Sequence, residues 1–361
     1  MAGKANLDAA RVAKNDEFYT QWDDIESEMQ AYLGYDPDVF RGKVVLLPCD
    51  DPEASNFTKY FALNFNKLGL KKLISTSYVP CRKGRIYVTE QGANLNEGAN
   101  LNKGYLKWDY LEGDGDFRSD EVTKLRNEAD VVITNPPFSL FREFLTWLVE
   151  GDVKFSVVGN MNAVTYKEIF PLIKDNKMWP GTAFNKTMEF AVPAGYYAAK
   201  DAELDKYGNR LVKVPAISWF TNIEHGRRHE FLELMTMEDN LVYGSKKVRS
   251  AGYPNYDNYD AIEVPFTSGI PSDYEGVMGV PISFLGKYNP EQFEIVKFRH
   301  GDDGKDLGYT QEDGTYKTPY FRILIRHRNP ERREPQALSR SRGGQSSLRR
   351  KRGLSHVEVR G

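Results

Sequence analysis

The segment "ADVVITNPPFSLFREFL", residues 129 to 145, is the most informative about the fold. It begins with a short apolar run, passes through two consecutive prolines and ends in a run whose apolar residues recur at three- and four-residue steps. We interpret the first run, Val131 to Thr134, as a buried strand and the last as an amphipathic helix. Because proline fixes its own backbone and has no N–H donor, the two prolines predict a rigid connection between these elements.

Other apolar runs have the same character as the run before the prolines. The segments Val44 to Leu47, Lys72 to Ser75 and Phe155 to Val158 are short and mostly β-branched or bulky, which predicts strands buried on both faces. Segments with helical spacing lie between them, so the sequence predicts an α/β fold with a mainly parallel central sheet. Ligands of such sheets bind beyond the carboxyl ends of the strands, and the loops that follow these runs are the expected site.

The composition excludes several classes of protein. With 361 residues, of which 40% are hydrophobic, the chain is long enough for one large α/β domain and a smaller appendage. No apolar run near the start resembles a signal peptide and none is long enough to span a membrane, so we expect a cytoplasmic protein without membrane contact. Two cysteines and five scattered histidines lack the spacing of a metal site, and no metal is expected.

The charge is distributed unevenly and suggests three regions. Residues 329 to 361 carry nine Lys/Arg and three Asp/Glu, which leaves a net charge of -8 on residues 1 to 328. We expect residues 329 to 361 to form a basic, disordered tail. We assign residues 1 to 181 to the N-terminal and catalytic part, and residues 182 to 328 to distal strands with a recognition region. The short apolar piece from Ile282 to Leu285 is predicted to be one of these strands.

The Asn-Pro-Pro-Phe string, residues 135 to 138, predicts a site for an amino group. The prolines hold backbone carbonyls rigid, and Asn135 adds a side-chain carbonyl that can accept a hydrogen bond. Phe138 offers a face for a planar ring. An amine conjugated to a base is a poor nucleophile, and fixed acceptors for its hydrogens favour a nitrogen whose lone pair can attack an electrophile. A stiff turn without a ligand is the structural alternative.

These residues carry a resemblance to a known family. The string is similar to motif IV of amino-group methyltransferases, and the chain resembles the EcoRI modification methylase family of DNA adenine methyltransferases. Further matching stretches cover about residues 11 to 328, and they are Lys14 to Thr20, Cys49 to Phe57, Gly113 to Ser119, Gly279 to Leu285 and Lys287 to Phe293. The resemblance implies a Rossmann-like fold, S-adenosylmethionine as cofactor and the flipping of an adenine from duplex DNA into the pocket.

The resemblance also implies a role for individual residues. Asn135, Pro136, Pro137 and Phe138 are expected to be catalytic. The residues expected to bind the cofactor are Phe18, Tyr19 and Thr20 in the N-terminal motif, Pro48, Cys49 and Asp50 after the first strand, and Asp116 and Phe117 in a later loop. The loop after the first strand lacks the glycines that many methyltransferases have there.

Some assignments have alternatives. Either Asp50 or Asp51 could meet the cofactor, and Asp51 is the better candidate to cap a helix that begins near Glu53. Asp114 is likewise an alternative to Asp116 as the carboxylate that meets the cofactor. The hydroxyls from Ser75 to Tyr78 occupy the place where a carboxylate usually meets the ribose.

Candidate DNA-binding residues lie in the second half of the chain. They combine cations with aromatic rings, as groove contacts require, and they are Arg227, Arg228, Lys246, Lys247, Arg249 and Tyr256. We expect a monomer whose partner is duplex DNA, and a restriction endonuclease acting on the same site would need no stable association with it. Two other functions fit the motif: methylation of glutamine side chains or RNA bases, and a catalytically inactive DNA-binding protein.

Overall fold

The computed structural model describes residues 19 to 92, 99 to 100, 105 to 192, 203 to 204 and 210 to 331. Phe18 and the tail beyond residue 331 lie outside the described residues. The helices are α1 Trp22–Tyr35, α2 Asn56–Leu63, α3 Phe65–Leu68, α4 Asp120–Glu128, α5 Phe141–Glu150, α6 Phe170–Lys174, α7 Met237–Tyr243 and α8 Lys246–Ala251. The strands are β1 Tyr19–Thr20, β2 Val44–Leu47, β3 Lys72–Thr76, β4 Arg85–Glu90, β5 Ala99–Asn100, β6 Tyr105–Leu106, β7 Asp109–Tyr110, β8 Val131–Thr134, β9 Lys154–Asn160, β10 Trp179–Pro180, β11 Lys186–Val192, β12 Glu203–Leu204, β13 Arg210–Thr221, β14 Ile262–Glu263, β15 Met278–Pro281, β16 Phe293–Phe298, β17 Tyr309–Thr310, β18 Tyr316–Lys317 and β19 Arg322–His327.

The main sheet has parallel strands at its centre and antiparallel strands at its flanks. Its order is β1-β11-β13-β9-β8-β2-β3-β4-β7. Strands β3, β2, β8 and β9 are parallel to one another, as the sequence predicts. Strands β4 and β13 pair antiparallel on either side of this group. The predicted α/β fold is confirmed, and the four parallel strands bring three of the expected site loops to one edge of the sheet.

Alternating side chains on the parallel strands separate the core into two layers. Leu46, Ile74 and Val132 pack with helices α4 and α5 on one face of the sheet. Val45 and Ile133 pack with helices α1 and α2 on the other face. Because successive side chains of a strand point to opposite faces, strands covered on both sides must be apolar at every position. This explains why the short runs read from the sequence lack alternation.

The C-terminal region adds a second sheet. Strands β14, β15, β19 and β16 form this four-stranded sheet in that order. Phe284 and Phe293 belong to the same apolar cluster as Phe144 of α5. The C-terminal region therefore shares an apolar core with the main sheet and its helices. The predicted apolar strand piece from Ile282 to Leu285 is wrong, because these residues begin a 3-10 helix, Ile282–Lys287. A short buried apolar run does not by itself distinguish a strand from a helical turn.

Among the helices of the described segments, none combines the length and apolar character needed to cross a bilayer.

Candidate active site and DNA-binding surface

The double proline lies at the carboxyl edge of the parallel strands. Thr134 is the last residue of β8, and Phe138 opens a 3-10 turn that leads into α5. Helix α5 is held close to β9, since a Cβ atom added to Gly159 would lie 2.4 Å from the ring of Phe141. The strand, the turn and the helix therefore fix Asn135 at the predicted edge of the sheet.

Phe138 is linked to the N-terminal motif through one strand. Its half-buried ring meets the ring of Phe190 edge to face, with 6.3 Å between the ring centroids. Phe190 of β11 pairs with Thr20 of β1. The carbonyl of Thr20 in turn accepts a 2.8 Å hydrogen bond from Asn56 Nδ2 of α2. Tyr19 and Thr20 are thus brought to the Asn-Pro-Pro-Phe string, although they are far from it in the sequence.

Asp50 follows β2 and points into the protein. Its side chain is 5% exposed. One carboxyl oxygen accepts a 2.6 Å hydrogen bond from the hydroxyl of Ser55, and the other accepts a 2.6 Å hydrogen bond from the hydroxyl of Thr134. Burial raises the pKa of Asp50 to about 7, although these two hydrogen bonds act in the opposite direction.

The raised pKa of Asp50 predicts that stability depends on pH. The folded chain keeps a proton that the unfolded chain releases above its ordinary pKa of 3.8, so the free energy of unfolding should fall as pH rises from about 4 to about 7. The fall contributed by this group is at most about 4 kcal/mol. Asp50→Asn removes the titrating group, and its amide can still form hydrogen bonds with both hydroxyls. The stability of this variant relative to wild type should therefore be greater at about pH 8 than at about pH 5.

Urea unfolding of the wild type, Asp50→Asn and Asp302→Asn at both pH values measures this difference. Asp302 is a matched control, because its side chain is 79% exposed. Equal differences between wild type and Asp50→Asn at the two pH values would contradict the prediction.

Asp51 has a different environment from Asp50. It accepts hydrogen bonds from the backbone of Glu53 and Ala54 and forms an ion pair of 3.1 Å with Arg85. The prediction that Asp51 caps a helix near Glu53 is wrong, since α2 begins at Asn56. Its N-cap is Ser55, whose hydroxyl accepts from two backbone N–H groups of the first turn.

The hydroxyls at the end of β3 and directly after it form hydrogen bonds within the protein. Ser75 donates to the backbone carbonyl of Asp50 at 2.6 Å, and Thr76 donates to that of Pro48 at 3.2 Å. The hydroxyl of Ser77 accepts from the backbone N–H of Arg85 at 3.1 Å. These contacts bind the loop after β2 to the end of β3.

The loop from residue 114 to residue 118 packs against the end of β3. Gly115 has φ +83°, and a Cβ atom there would lie 2.1 Å from the carbonyl oxygen of Ser77. Asp116 forms a 2.6 Å ion pair with Arg118, which holds the pKa of that carboxyl below its usual value. The candidate cofactor residue Asp116 therefore lies beside the loop that follows β3.

Two aromatic rings near Asp116 differ in exposure. Phe117 is 5% exposed, and its ring packs edge to face against Phe144 and Trp147. Burial thus contradicts a stacking contact of Phe117 with the cofactor, and its ring anchors the loop. Tyr78 is 43% exposed, and partial burial together with the charges of Asp114 and Asp116 raises its pKa. Sequence reasoning included Tyr78 only for its hydroxyl.

The cations of helix α8 form an exposed surface. Lys246, Lys247 and Arg249 are exposed, while Val248 between them is fully buried and anchors the helix. Within the described part of the chain, none of the three takes part in an ion pair. Lys247 lies over the exposed ring of Phe266, with 5.5 Å between its Nζ atom and the ring centroid. We call these three cations the α8 basic surface.

Three other predicted DNA contacts have different surroundings. Arg227 is exposed and donates to the backbone carbonyl of Thr182. Arg228 is 4% exposed and lies 3.7 Å from the ring centroid of Trp179. Tyr256 is 5% exposed and donates its hydroxyl to Glu263. Burial contradicts a DNA contact for Arg228 and Tyr256, because both side chains contribute to the interior.

Comparison with known proteins identifies the family. Residues 6 to 328 match the family described as adenine-specific methyltransferase EcoRI. The chain belongs to this family. It is therefore an adenine-specific DNA methyltransferase, and the position of Asn-Pro-Pro-Phe at the carboxyl edge of β8 agrees with the site expected from the sequence.

Similar proteins cover most of the chain. The Type II methyltransferase M.EcoRI of Escherichia coli is 46% identical over 89% of this chain and 96% of its own length. The Type II methyltransferase M.MpnI of Mycoplasma pneumoniae is 38% identical over 80% of this chain and 83% of its own length. A Type II methyltransferase of Mycoplasma genitalium is 39% identical over 81% of this chain and 85% of its own length. No solved structure matches the chain.

Proposed function

We propose that the chain transfers the methyl group of S-adenosylmethionine to the exocyclic N6 amino group of an adenine flipped out of duplex DNA at a specific site. The observation that carries this proposal is the position of Asn135 and its two prolines at the carboxyl end of the parallel strands, within reach of the loops that follow β2 and β3. DNA is the substrate of the family, and the methyl donor, the flipped base and the residue roles are the finer points proposed here.

The side-chain carbonyl of Asn135 accepts a hydrogen bond from the amino group. A backbone carbonyl of the adjacent proline pair, Pro136 and Pro137, accepts another. Acceptors held in place before the reaction stabilise the developing positive charge on that nitrogen without reorganisation. Phe138, half-buried at the opening of the 3-10 turn, stacks on the adenine. Direct transfer needs no covalent enzyme intermediate, so the mechanism requires no nucleophilic side chain at this edge.

The residues at the edge fit S-adenosylmethionine, which when bound supplies an electrophilic methyl group on a sulfonium. Thr20 is 2% exposed, and its buried hydroxyl has no hydrogen-bond partner among the described residues. An orphaned hydroxyl of this kind can be satisfied by a polar ligand. Tyr19 and Thr20 would border the methionine part, and the backbone of Pro48 and Cys49 would line the middle of the cofactor.

The adenosine part of the cofactor is assigned to the loop around Asp116. Asp116 is half-buried and can accept a hydrogen bond from the adenine amine or from a ribose hydroxyl. Tyr78 offers the exposed ring that Phe117 lacks. Because the charges of Asp114 and Asp116 raise the pKa of Tyr78, its side chain lies near these carboxylates.

A filter assay with tritiated S-adenosylmethionine and duplex DNA, RNA or protein as acceptor tests the proposal. We expect incorporation into duplex DNA alone, and digestion of that DNA to nucleosides should release N6-methyl-2′-deoxyadenosine. Incorporation into RNA or protein would contradict it, and retention of DNA without cofactor binding would indicate an inactive DNA-binding protein.

Expression in a methylation-free host, followed by single-molecule sequencing, extends this test to the recognition site. We expect methylated adenines within one consistent sequence. Modification at unrelated sequences would contradict site specificity.

We also expect a monomer in solution, and any restriction endonuclease that cuts the same sequence would act without stable association.

A further inference from the structure

Four hydroxyl side chains surround Asp50 and form what we call the Asp50 cluster. Ser55 and Thr134 donate to its two carboxyl oxygens at 2.6 Å each. Ser75 donates to its backbone carbonyl at 2.6 Å and lies 2.6 Å from the hydroxyl of Thr58. Every member is at most 5% exposed. The cluster is therefore a closed hydrogen-bond network within the interior.

The cluster joins four segments at the carboxyl edge. Asp50 follows β2, Ser75 belongs to β3, Thr134 ends β8, and Ser55 caps the first turn of α2. Strands β3, β2 and β8 are neighbours in the sheet. The carboxyl group of Asp50 therefore connects the ends of β2 and β8, and the backbone carbonyl of Asp50 connects to β3. A buried network in which every member is satisfied rigidifies the surrounding backbone.

Thr134 is the residue through which this network reaches the proposed catalytic group. It precedes Asn135 directly, and its hydroxyl points to Asp50 at the end of the neighbouring strand. The two prolines after Asn135 fix the backbone on the far side. The position of Asn135 is thus set by the prolines from one side and by the Thr134 hydrogen bond from the other.

The surroundings of Asp50 disfavour it as a direct partner of the methyl donor, because its side chain is 5% exposed. Both carboxyl oxygens already accept hydrogen bonds from the protein, and in the described part of the chain no cation forms an ion pair with it. The neighbouring charges lie outside the cluster: Asp51 is paired with Arg85, which also pairs with Glu53. Lys59 of α2 is close enough to Asp51 for the carboxylate charge to affect the pKa of Lys59. Strands β3 and β8 contribute only hydroxyls to the cluster.

We propose that Asp50 is a positioning residue which acts through the hydroxyl of Thr134 to hold Asn135 at its working distance from the loop that follows β2. This rests on the proposed role of Asn135. Displacement of a reacting group by about 1 Å costs on the order of 100-fold in rate. The cluster thereby controls the chemical step and leaves binding of the methyl donor to other residues.

The test compares Thr134→Val, Thr134→Ser and wild type in single-turnover methylation of duplex DNA. Valine keeps the shape of threonine and lacks the hydroxyl, so Thr134→Val should lower the rate between about 10- and 100-fold. Its dissociation constants for S-adenosylmethionine and DNA should stay within about twofold of wild type. Thr134→Ser restores the hydroxyl and should recover most of the rate.

Thr221→Val is the matched control for loss of a buried hydroxyl. Thr221 is also fully buried, and its hydroxyl donates to the carbonyl of Phe155 at 2.7 Å. It pairs with Ser156, near the amino end of β9 and away from the carboxyl edge. We expect this variant to lose stability while its single-turnover rate remains near wild type.

Three results would overturn the proposal. The first is an unchanged rate in Thr134→Val, and the second is an equal loss of rate in Thr221→Val, which would indicate a merely structural role. The third is a loss of cofactor affinity of about tenfold or more in Asp50→Asn, which would place the carboxylate against the methyl donor. Active wild type with an unaffected Thr134→Val rejects this proposal alone, whereas wild type inactive on every acceptor rejects the proposed function.

Discussion

Asn135→Ala is expected to reduce methyl transfer by about 1,000-fold or more, because it removes the side-chain acceptor for the amino group. Affinity for S-adenosylmethionine should stay nearly unchanged, since Asn135 acts on the base and not on the methyl donor. Single-turnover methylation gives the rate, and calorimetry with the cofactor gives the affinity. Normal turnover in this variant would contradict the proposed mechanism.

Asn127→Ala is the control for loss of an asparagine side chain. Asn127 is exposed near the end of α4, before β8 begins, and its side chain accepts from Arg126. It is therefore at the opposite edge of the sheet from Asn135. We expect its rate of methylation to match that of wild type.

The second large effect is expected at the α8 basic surface. Changing Lys246, Lys247 and Arg249 together to glutamine should weaken duplex DNA binding by about 100-fold at physiological salt. The slope of the logarithm of affinity against the logarithm of salt concentration should fall by about 3 in magnitude, or about 1 for each phosphate that is no longer neutralised. Fluorescence anisotropy with labelled duplex over a salt series measures both quantities.

A matched triple variant controls for the loss of charge. Lys67, Lys71 and Lys124 are exposed, and Lys71 directly precedes β3 at the amino edge of the sheet. Their replacement by glutamine should leave DNA affinity and the salt slope close to wild type, and cofactor affinity should be unchanged in both variants. If the two triple variants weaken binding equally, α8 does not form the DNA-binding surface.

Much of the fold follows from local patterns. Val44 to Leu47 and Val131 to Thr134 agree with the strands residue for residue, because strands covered on both faces need apolar side chains at every position. The Asn-Pro-Pro-Phe string lies where the sequence places it, since proline restricts the backbone whatever its surroundings. Patterns without such a restriction are less reliable, as the helical turn at Ile282 and the shifted start of α2 demonstrate.

The direction of individual side chains depends on the tertiary structure. Arg228 and Tyr256 are residue types that often contact DNA, yet their side chains lie in the interior. Lys246 and Lys247 are on the surface. Whether a cation faces solvent or packs over a tryptophan depends on neighbours that are distant in sequence. The burial of the Phe117 ring and the exposure of the Tyr78 ring have the same cause.

The α/β class, the family, the position of Asn135 and the group of loops in which the cofactor is sought can all be predicted from the sequence. Apolar periodicity, proline stereochemistry and matching motifs are properties of the chain and need no knowledge of its neighbours. The inward direction of Asp50, toward Thr134 and Ser55, is visible only in the folded chain. The hydrogen bond to Thr134 joins residues 84 positions apart in the sequence, and it forms because parallel strands end side by side at one edge of the sheet.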